Sequence, residues 1–205
     1  MGECNELRNK FYARAWRILR PIVLFFLPVE LRGTENLEDE AAILCANHSS
    51  AWDPILLVLA MPQSFNLRIM AKKQLFSIPL VRWFLRNMGV FPVDRGNSDI
   101  GAVKTAISSL RDDWNLLIFP EGTRVKKPGQ VMPKSGAGMM AIRAGVKMVP
   151  VFIGTAKRLF RKTVIIFGKP FTPTYTGRKG TAEEYQANTD EVMRRAYELG
   201  GVSCL

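Results

Sequence analysis

The chain has 205 residues, of which 47% are hydrophobic and 23% charged, so it can form one globular domain with a sizeable core rather than a disordered segment. Its three cysteines are odd in number and widely spaced, and it has only one histidine, which argues against a disulfide framework and a zinc site. The net charge of +11 suits nucleic acid, an anionic membrane surface or phosphorylated substrates, and does not distinguish among them.

The first element in chain order is a helix predicted within residues 5–29. Its basic residues recur at steps of four, three and three and therefore share one face: Lys10, Arg14, Arg17 and Arg20. These charges interrupt the run of about 20 apolar residues that a membrane-spanning helix needs. The pattern is typical of a helix lying at a membrane surface, and equally of a helix packed on a globular domain. Pro21 predicts a kink and Pro28 an end.

Strand-like and helix-like segments alternate from residue 41 onward. Strands are predicted at 41–46, 67–71, 89–93, 115–119, 147–154 and 163–168. Helices are predicted from Pro54, over 78–88, after a cap at Ser98, over 136–145 and over 182–199. The alternation predicts an α/β fold with a mixed, mostly parallel sheet flanked by helices on both faces. Residues 1–30 would form an amphipathic, membrane-associating helical segment, and residues 31–205 the domain.

The single histidine, His48, follows the first buried strand in the stretch "CANHSSAWDP". In α/β sheets, working residues usually lie in loops beyond the strand ends. Because Asp53 precedes Pro54, it is predicted to be the N-cap of a helix that starts at that proline. One Asp53 oxygen would then cap the helix while the other fixes one imidazole nitrogen, which leaves the second nitrogen to accept a proton. By spacing alone, a merely hydrogen-bonded loop histidine is the commoner explanation.

A nucleophile for this pair is not evident in the sequence. Side chains alternate along a strand, so Cys45 is expected to point away from His48. Ser49 and Ser50 are so near to His48 in sequence that the spacing does not show whether either could act as the nucleophile. An alternative is that the substrate supplies the hydroxyl, which His48 would deprotonate for attack on an activated acyl group.

A second motif, "FPEGTR" at 119–124, directly follows the strand predicted at 115–119. Gly122 lets the backbone approach a ligand, Thr123 offers a hydroxyl, and the planar guanidinium of Arg124 suits phosphate oxygens. Glu121 would orient Arg124 or bind a substrate hydroxyl. The alternative is an ordinary Glu-Gly turn with an exposed arginine.

These two stretches resemble the two signature motifs of the glycerolipid acyltransferases, Asn-His-x4-Asp and Phe-Pro-Glu-Gly-Thr-Arg. "GVFPVDR" at 89–95 and "VPV" at 149–151 fit two further blocks of that family, in the same order along the chain. The likeness covers roughly residues 30–170 and is greatest to the bacterial 1-acyl-sn-glycerol-3-phosphate acyltransferases. Such an enzyme transfers an acyl group to the sn-2 hydroxyl of lysophosphatidate and gives phosphatidic acid.

The resemblance implies that His48 is the general base and that Asp53 orients it. It also implies a set of acceptor-binding residues: Lys73, Arg95, Glu121, Gly122, Thr123 and Arg124. The acyl donor would be a thioester, acyl-CoA or acyl-acyl carrier protein, and no cofactor, metal or nucleic acid is expected.

Charge and location agree with this interpretation. Lysophosphatidate, the thioester donors and bacterial membrane surfaces are all anionic. The positive charge of the chain and the arginines along its first helix are complementary to all three. Since no signal-peptide pattern is evident, we expect a peripheral or monotopic location at the cytoplasmic face of the cell membrane. Two alternatives stay open: the same chemistry on glycerol-3-phosphate or another lysolipid, and a non-catalytic basic peripheral membrane protein.

Overall fold

The computed structural model describes residues 2–94 and 99–202, with side chains from residue 10 onward. Its elements in chain order are α1 (Gly2–Phe26), β1 (Val29–Arg32), β2 (Ala42–Ala46), α2 (Trp52–Ala60), β3 (Leu67–Lys72), α3 (Pro79–Asn87), β4 (Val90–Val93), α4 (Ile100–Arg111), β5 (Asn115–Ile118), α5 (Gly136–Ala144), β6 (Lys147–Ile153), β7 (Thr163–Phe167) and α6 (Ala182–Leu199). Two short 3-10 turns occur at Thr34–Asn36 and Lys73–Ser77.

One seven-stranded sheet has the order β1-β7-β6-β2-β5-β3-β4. Every neighbouring pair is parallel except β6 and β7, which are antiparallel. The predicted α/β fold with a mixed, mostly parallel sheet is therefore confirmed. β1 was not predicted, because its sequence "VELR" is short and half charged; it lies at the sheet edge, where Val29 pairs with Thr163.

Helices cover both faces of the sheet, and β2 shows how its sequence serves both. Ala42, Leu44 and Ala46 face the core beneath α2, which contributes Leu57 and Met61 with the loop that follows it. Ile43 and Cys45 face the opposite core, which residues of α4, α5 and α6 close. Each fully buried leucine or isoleucine stabilises the fold by about 1.5–3 kcal/mol relative to leaving it exposed.

The start of α2 differs from the prediction. The helix begins at Trp52, so Asp53 lies in its first turn and is not the N-cap. The backbone N–H of Asp53 already donates to the carbonyl of Ser50 at 3.1 Å, and Pro54 is tolerated because a first-turn N–H has no partner within the helix. Helical geometry at Asp53 thus outweighs the bias that the following proline imposes.

Two other local predictions need comment. The cap predicted at Ser98 lies outside the described residues, and the structure assigns the N-cap of α4 to Asp99, whose carboxylate accepts from the N–H of Ala102 at 2.9 Å. α1 continues through Pro21 and ends at Phe26.

α1 packs against α2 and α3. The ring of Phe11 contacts Trp83 edge-on, with ring centroids 4.8 Å apart. Arg20 donates to the carbonyl of Leu59 at 3.0 Å and lies over the ring of Trp16, so this arginine serves packing. Within the described part of the chain, no helix is both long enough and apolar enough to cross a membrane. Association of α1 with a membrane surface remains a prediction.

Candidate active site

Five adjacent strands, β6, β2, β5, β3 and β4, run parallel, so their carboxyl ends meet at one edge of the sheet. His48 follows β2, Lys73 follows β3, Glu121 follows β5, and Lys157 follows β6. The topology therefore brings together groups that are far apart in the chain, such as His48 and Glu121, which are 73 residues apart. Arg95, predicted to follow β4, lies outside the described residues.

His48 and Asp53 form a buried pair at this edge. The imidazole Nδ1 lies 3.0 Å from Oδ2 of Asp53, and the two residues are 9% and 0% exposed. The same oxygen accepts the backbone N–H groups of Ser49 and Ser50, each at 2.7 Å. The predicted contact is present, although the second half of the prediction is wrong: Oδ1 does not cap α2 but forms an ion pair with Lys157.

The contacts fix the charge of Asp53. Burial acts to raise the pKa of its carboxyl group, but the hydrogen bond with His48 and the contact with Lys157 outweigh burial, so the pKa lies below its ordinary value. An ionised carboxylate only accepts hydrogen bonds. Nδ1 of a neutral His48 therefore carries the proton, and Nε2 presents a lone pair.

Three further contacts hold His48 in place. Its ring stacks on Phe119, with ring centroids 4.3 Å apart. Its backbone carbonyl accepts from Val125 at 2.8 Å, and its backbone N–H donates to Oε2 of Glu121 at 2.7 Å. The "FPEGTR" turn thus contacts the ring of His48 through Phe119 and its backbone through Glu121.

Glu121 is engaged inside the protein. Oε1 accepts the hydroxyl of Tyr197 from α6, while Oε2 holds the His48 backbone. Burial, the largest influence, raises the pKa of the Glu121 carboxyl group above its ordinary value. The predicted pairing with Arg124 is not found between these two described residues. Binding of a substrate hydroxyl by Glu121 remains a prediction.

The other predicted acceptor ligands lie at the surface of the same edge. Gly122 has a φ of +67°, a conformation that favours glycine, and a Cβ there would approach Cε of Lys134 to 3.1 Å. Thr123 and Arg124 are exposed beyond it, and Lys73 is exposed at the start of the 3-10 turn after β3. Their roles in substrate binding remain predictions.

Two cavities are bordered by neighbours of His48: one by Phe119, which stacks on its ring, and the other by Asn47 and Ser49, which adjoin it in the chain. One, of about 430 Å³, has a mainly apolar lining that includes Met70, Val103, Ile118, Phe119, Ala137 and Met140, with Gly122 and Lys134 also bordering it. The other, of about 460 Å³, is bordered by Asn47, Ser49 and the lysines Lys126, Lys127 and Lys162.

Cys45 belongs to the core on the α4–α6 side of the sheet and is fully buried, as strand alternation predicts. Burial raises the pKa of its thiol, which disfavours the nucleophilic thiolate. Among the residues with a described placement, no group of three or more His, Cys, Asp or Glu is arranged to hold a metal ion.

A family model described as acyltransferase matches residues 28–154, more than half of the chain. The chain belongs to the acyltransferase family. The match includes both loops that form the His48–Asp53–Glu121 cluster, so the acyltransferase family and the geometry point to the same edge of the sheet.

Several proteins similar to this chain have names that specify a substrate. A 1-acyl-sn-glycerol-3-phosphate acyltransferase of Streptococcus pneumoniae is 38% identical over 116 residues, 56% of this chain and 42% of that protein. One of Bacillus subtilis is 29% identical over 195 residues, 93% of this chain and 96% of that protein. The crystal structure of the 1-acyl-sn-glycerophosphate acyltransferase PlsC from Thermotoga maritima has a TM-score of 0.66 at 27% identity, covering 100% of this chain and 86% of that one.

Length differs among these relatives. The chain spans less than half the length of the Streptococcus pneumoniae protein and of the chloroplast protein LPAT1 of Arabidopsis thaliana.

Sequence reasoning missed two residues of the candidate site, Lys157 and Tyr197. Lys157 is one cation among several in the stretch 155–162, and nothing in its spacing sets it apart. Tyr197 occupies an apolar position of α6 and reads as a core residue. Only the folded sheet brings these side chains to Asp53 and Glu121.

Proposed function

We propose that this acyltransferase transfers an acyl group from an acyl thioester, acyl-CoA or acyl-acyl carrier protein, to the sn-2 hydroxyl of 1-acyl-sn-glycerol-3-phosphate and so forms phosphatidic acid. The single observation that carries the proposal is the buried His48–Asp53 pair, 3.0 Å apart. In this chain, which belongs to the acyltransferase family, the pair lies against the "FPEGTR" turn. The printed names of the Streptococcus pneumoniae and Bacillus subtilis relatives support the choice of acceptor.

In the proposed reaction, Nε2 of His48 accepts the proton of the sn-2 hydroxyl while that oxygen attacks the thioester carbonyl carbon. Asp53 stabilises the imidazolium that forms and keeps Nδ1 as the donor. The tetrahedral intermediate then collapses, its carbon–sulfur bond breaks, and the departing thiolate takes the proton from His48. No covalent enzyme intermediate is required, because the acceptor brings its own nucleophile.

The acceptor phosphate is proposed to bind the exposed cations at this edge. Arg124 presents a planar fork of donors that suits phosphate oxygens, and Lys73 adds a second positive charge. Arg95 would complete the set, with Gly122 and Thr123 shaping the turn. The apolar cavity beside Phe119 would take an acyl chain, because its lining removes hydrocarbon from water.

We further propose that the protein works as a peripheral or monotopic protein at the cytoplasmic face of the membrane. Arg14 and Arg17 of α1 are exposed, and so are the large apolar side chains of Ile22 and Phe25 further along it. Phe160, from the loop after β6, packs against Phe25 with ring centroids 5.8 Å apart and is 61% exposed. Exposed aromatic and aliphatic side chains beside arginines suit an anionic interface.

The test is a panel of acceptors and donors with the purified full chain on anionic vesicles. We expect lysophosphatidate to be converted to phosphatidic acid, identified by mass spectrometry, and glycerol-3-phosphate and other lysolipids to react far more slowly. Comparing acyl-CoA with acyl-acyl carrier protein identifies the donor. Turnover of another acceptor at an equal or greater rate would overturn the proposed substrate.

A further inference from the structure

Lys157 is buried beside the proposed general base, although it belongs to a loop of exposed cations. Its neighbours in the stretch 155–162 are exposed, among them Arg158 and Lys162, whereas the Lys157 side chain is only 6% exposed. Its ammonium group forms an ion pair with Oδ1 of Asp53 and donates to Oγ of Ser49 at 2.8 Å. A lysine so placed has lost most of its hydration, and its partners must compensate for that loss.

The two oxygens of the Asp53 carboxylate have different partners. Oδ2 faces His48 and the two backbone N–H groups, and Oδ1 faces Lys157. A buried carboxylate whose only charged partner is an imidazole favours the protonated ring, and an imidazolium cannot act as a base. Lys157 already supplies a counter-charge to Asp53, so the carboxylate has less need of a positively charged imidazole.

We infer that Lys157 is a positioning residue for the His48–Asp53 pair: it holds Asp53 ionised and keeps His48 available as a neutral base. The inference rests on the proposed function only in that His48 deprotonates an acceptor. Three described charged groups contact His48 or its partner Asp53: Asp53 itself from α2, Glu121 from the turn after β5, and Lys157 from the loop after β6. Lys157 is the one cation among these three.

The single histidine of the chain makes a direct test possible, because one imidazole gives one set of nitrogen resonances and needs no assignment. The pH titration of His48 is followed by proton–nitrogen NMR in the full chain without a histidine tag. For Lys157→Met we expect the midpoint to rise by about one pH unit, since the field of Asp53 is no longer shared. Lys162→Met is the matched control, because Lys162 lies in the same loop with a side chain that is 69% exposed, and its midpoint should equal that of the wild type.

Kinetics give the second readout. In Lys157→Met we expect kcat at neutral pH to fall by up to about 10-fold, the most that a one-unit rise of the midpoint allows, with KM for lysophosphatidate nearly unchanged. The acidic limb of the pH–rate profile should shift to higher pH by the same amount as the NMR midpoint. Lys157→Arg should recover part of the rate and return the midpoint towards that of the wild type, because it restores the charge with a different shape. Lys157→Gln keeps a polar group without charge and serves where the methionine variant does not fold.

The outcomes separate this inference from the proposed function. An unchanged His48 midpoint in both uncharged variants would overturn the inference, and so would a raised KM with kcat and the pH profile intact, which would make Lys157 a phosphate ligand. If the midpoint moves but the wild type does not acylate lysophosphatidate, Lys157 still positions the pair and the proposed acceptor is wrong.

Discussion

Replacing Asp53 by asparagine removes the charge on which four contacts depend. Two backbone N–H groups at 2.7 Å, the His48 imidazole at 3.0 Å and the Lys157 ammonium group all end on this fully buried carboxylate. An asparagine oxygen can still accept from the backbone, so the main loss is the partner of a buried cation. Breaking a buried ion pair in this way costs about 3–5 kcal/mol, and we expect that loss in the free energy of unfolding of Asp53→Asn.

Activity should fall further than stability alone explains. Without the carboxylate, Nδ1 is not obliged to be the donor, and the imidazolium of the transition state loses its counter-charge. We expect kcat/KM to fall by about 100- to 10,000-fold under conditions where the variant is folded.

The assay is a double-mutant cycle with Lys157→Met, measured by urea unfolding with tryptophan fluorescence. Because Asp53→Asn strands a buried cation, adding Lys157→Met should recover part of the lost stability while activity stays low. If the two losses of unfolding free energy are simply additive, or if Asp53→Asn costs less than about 1 kcal/mol, the buried ion pair is not the dominant interaction and the reasoning fails.

The same carboxylate predicts a pH dependence of stability. Its pKa is lower in the folded than in the unfolded protein, so its contribution is present above the unfolded value of about 3.9 and is lost as pH falls through the folded pKa. The free energy of unfolding measured in urea should therefore fall more steeply with acidification in the wild type than in Asp53→Asn. Parallel acid dependence in the two proteins would contradict this.

The remaining predictions concern the second contact of the histidine, the acceptor and the membrane. Tyr197→Phe removes the hydroxyl that donates a hydrogen bond to Glu121. The substitution should lower the free energy of unfolding in urea by about 1–3 kcal/mol, and it should lower kcat more than it raises KM. Arg124→Ala should raise KM for lysophosphatidate by about 10-fold or more while KM for the donor changes little. Phe25→Ser combined with Leu159→Ser should weaken sedimentation with anionic vesicles, because both are large apolar side chains that are at least 65% exposed.

Each of these has its own control. Tyr185→Phe removes a buried tyrosine hydroxyl from the same helix that does not bond Glu121, and should leave the pH–rate profile unchanged. Equal weakening of acceptor and donor in Arg124→Ala would remove its phosphate role. Tyr175→Ser, at an exposed aromatic outside α1 and the loop after β6, should not affect vesicle binding, and an equal loss there would refute a specific lipid-facing surface.

Much of the fold follows from periodicity. The strands β2 to β7 and the helices α3, α5 and α6 lie where apolar runs, caps and glycine stops predict them, because those signals are local. β1 escapes prediction since its strand character comes from its partner β7 and not from its own residues. The prediction misplaces the start of α2. Contacts that form only on folding outweigh the conformational bias that Pro54 imposes on Asp53.

The site follows the same division. The contact of His48 with Asp53 is predictable, because the two residues are only five positions apart and a turn can close that distance. Lys157 and Tyr197 come from positions 108 and 76 residues away from the groups that they contact, Ser49 and Glu121. Sequence alone carries no signal for such contacts, since a buried lysine and an exposed lysine have the same letter. Arg95 and the donor stay predictions.

The most direct test of the account is the rate of phosphatidic acid formation by the purified wild type and by His48→Ala on anionic vesicles. The account predicts that the wild type converts lysophosphatidate with an acyl thioester, and that the folded variant is slower by about 100- to 10,000-fold. A folded His48→Ala protein that forms phosphatidic acid within a few-fold of the wild-type rate would contradict the assignment of His48 as the base.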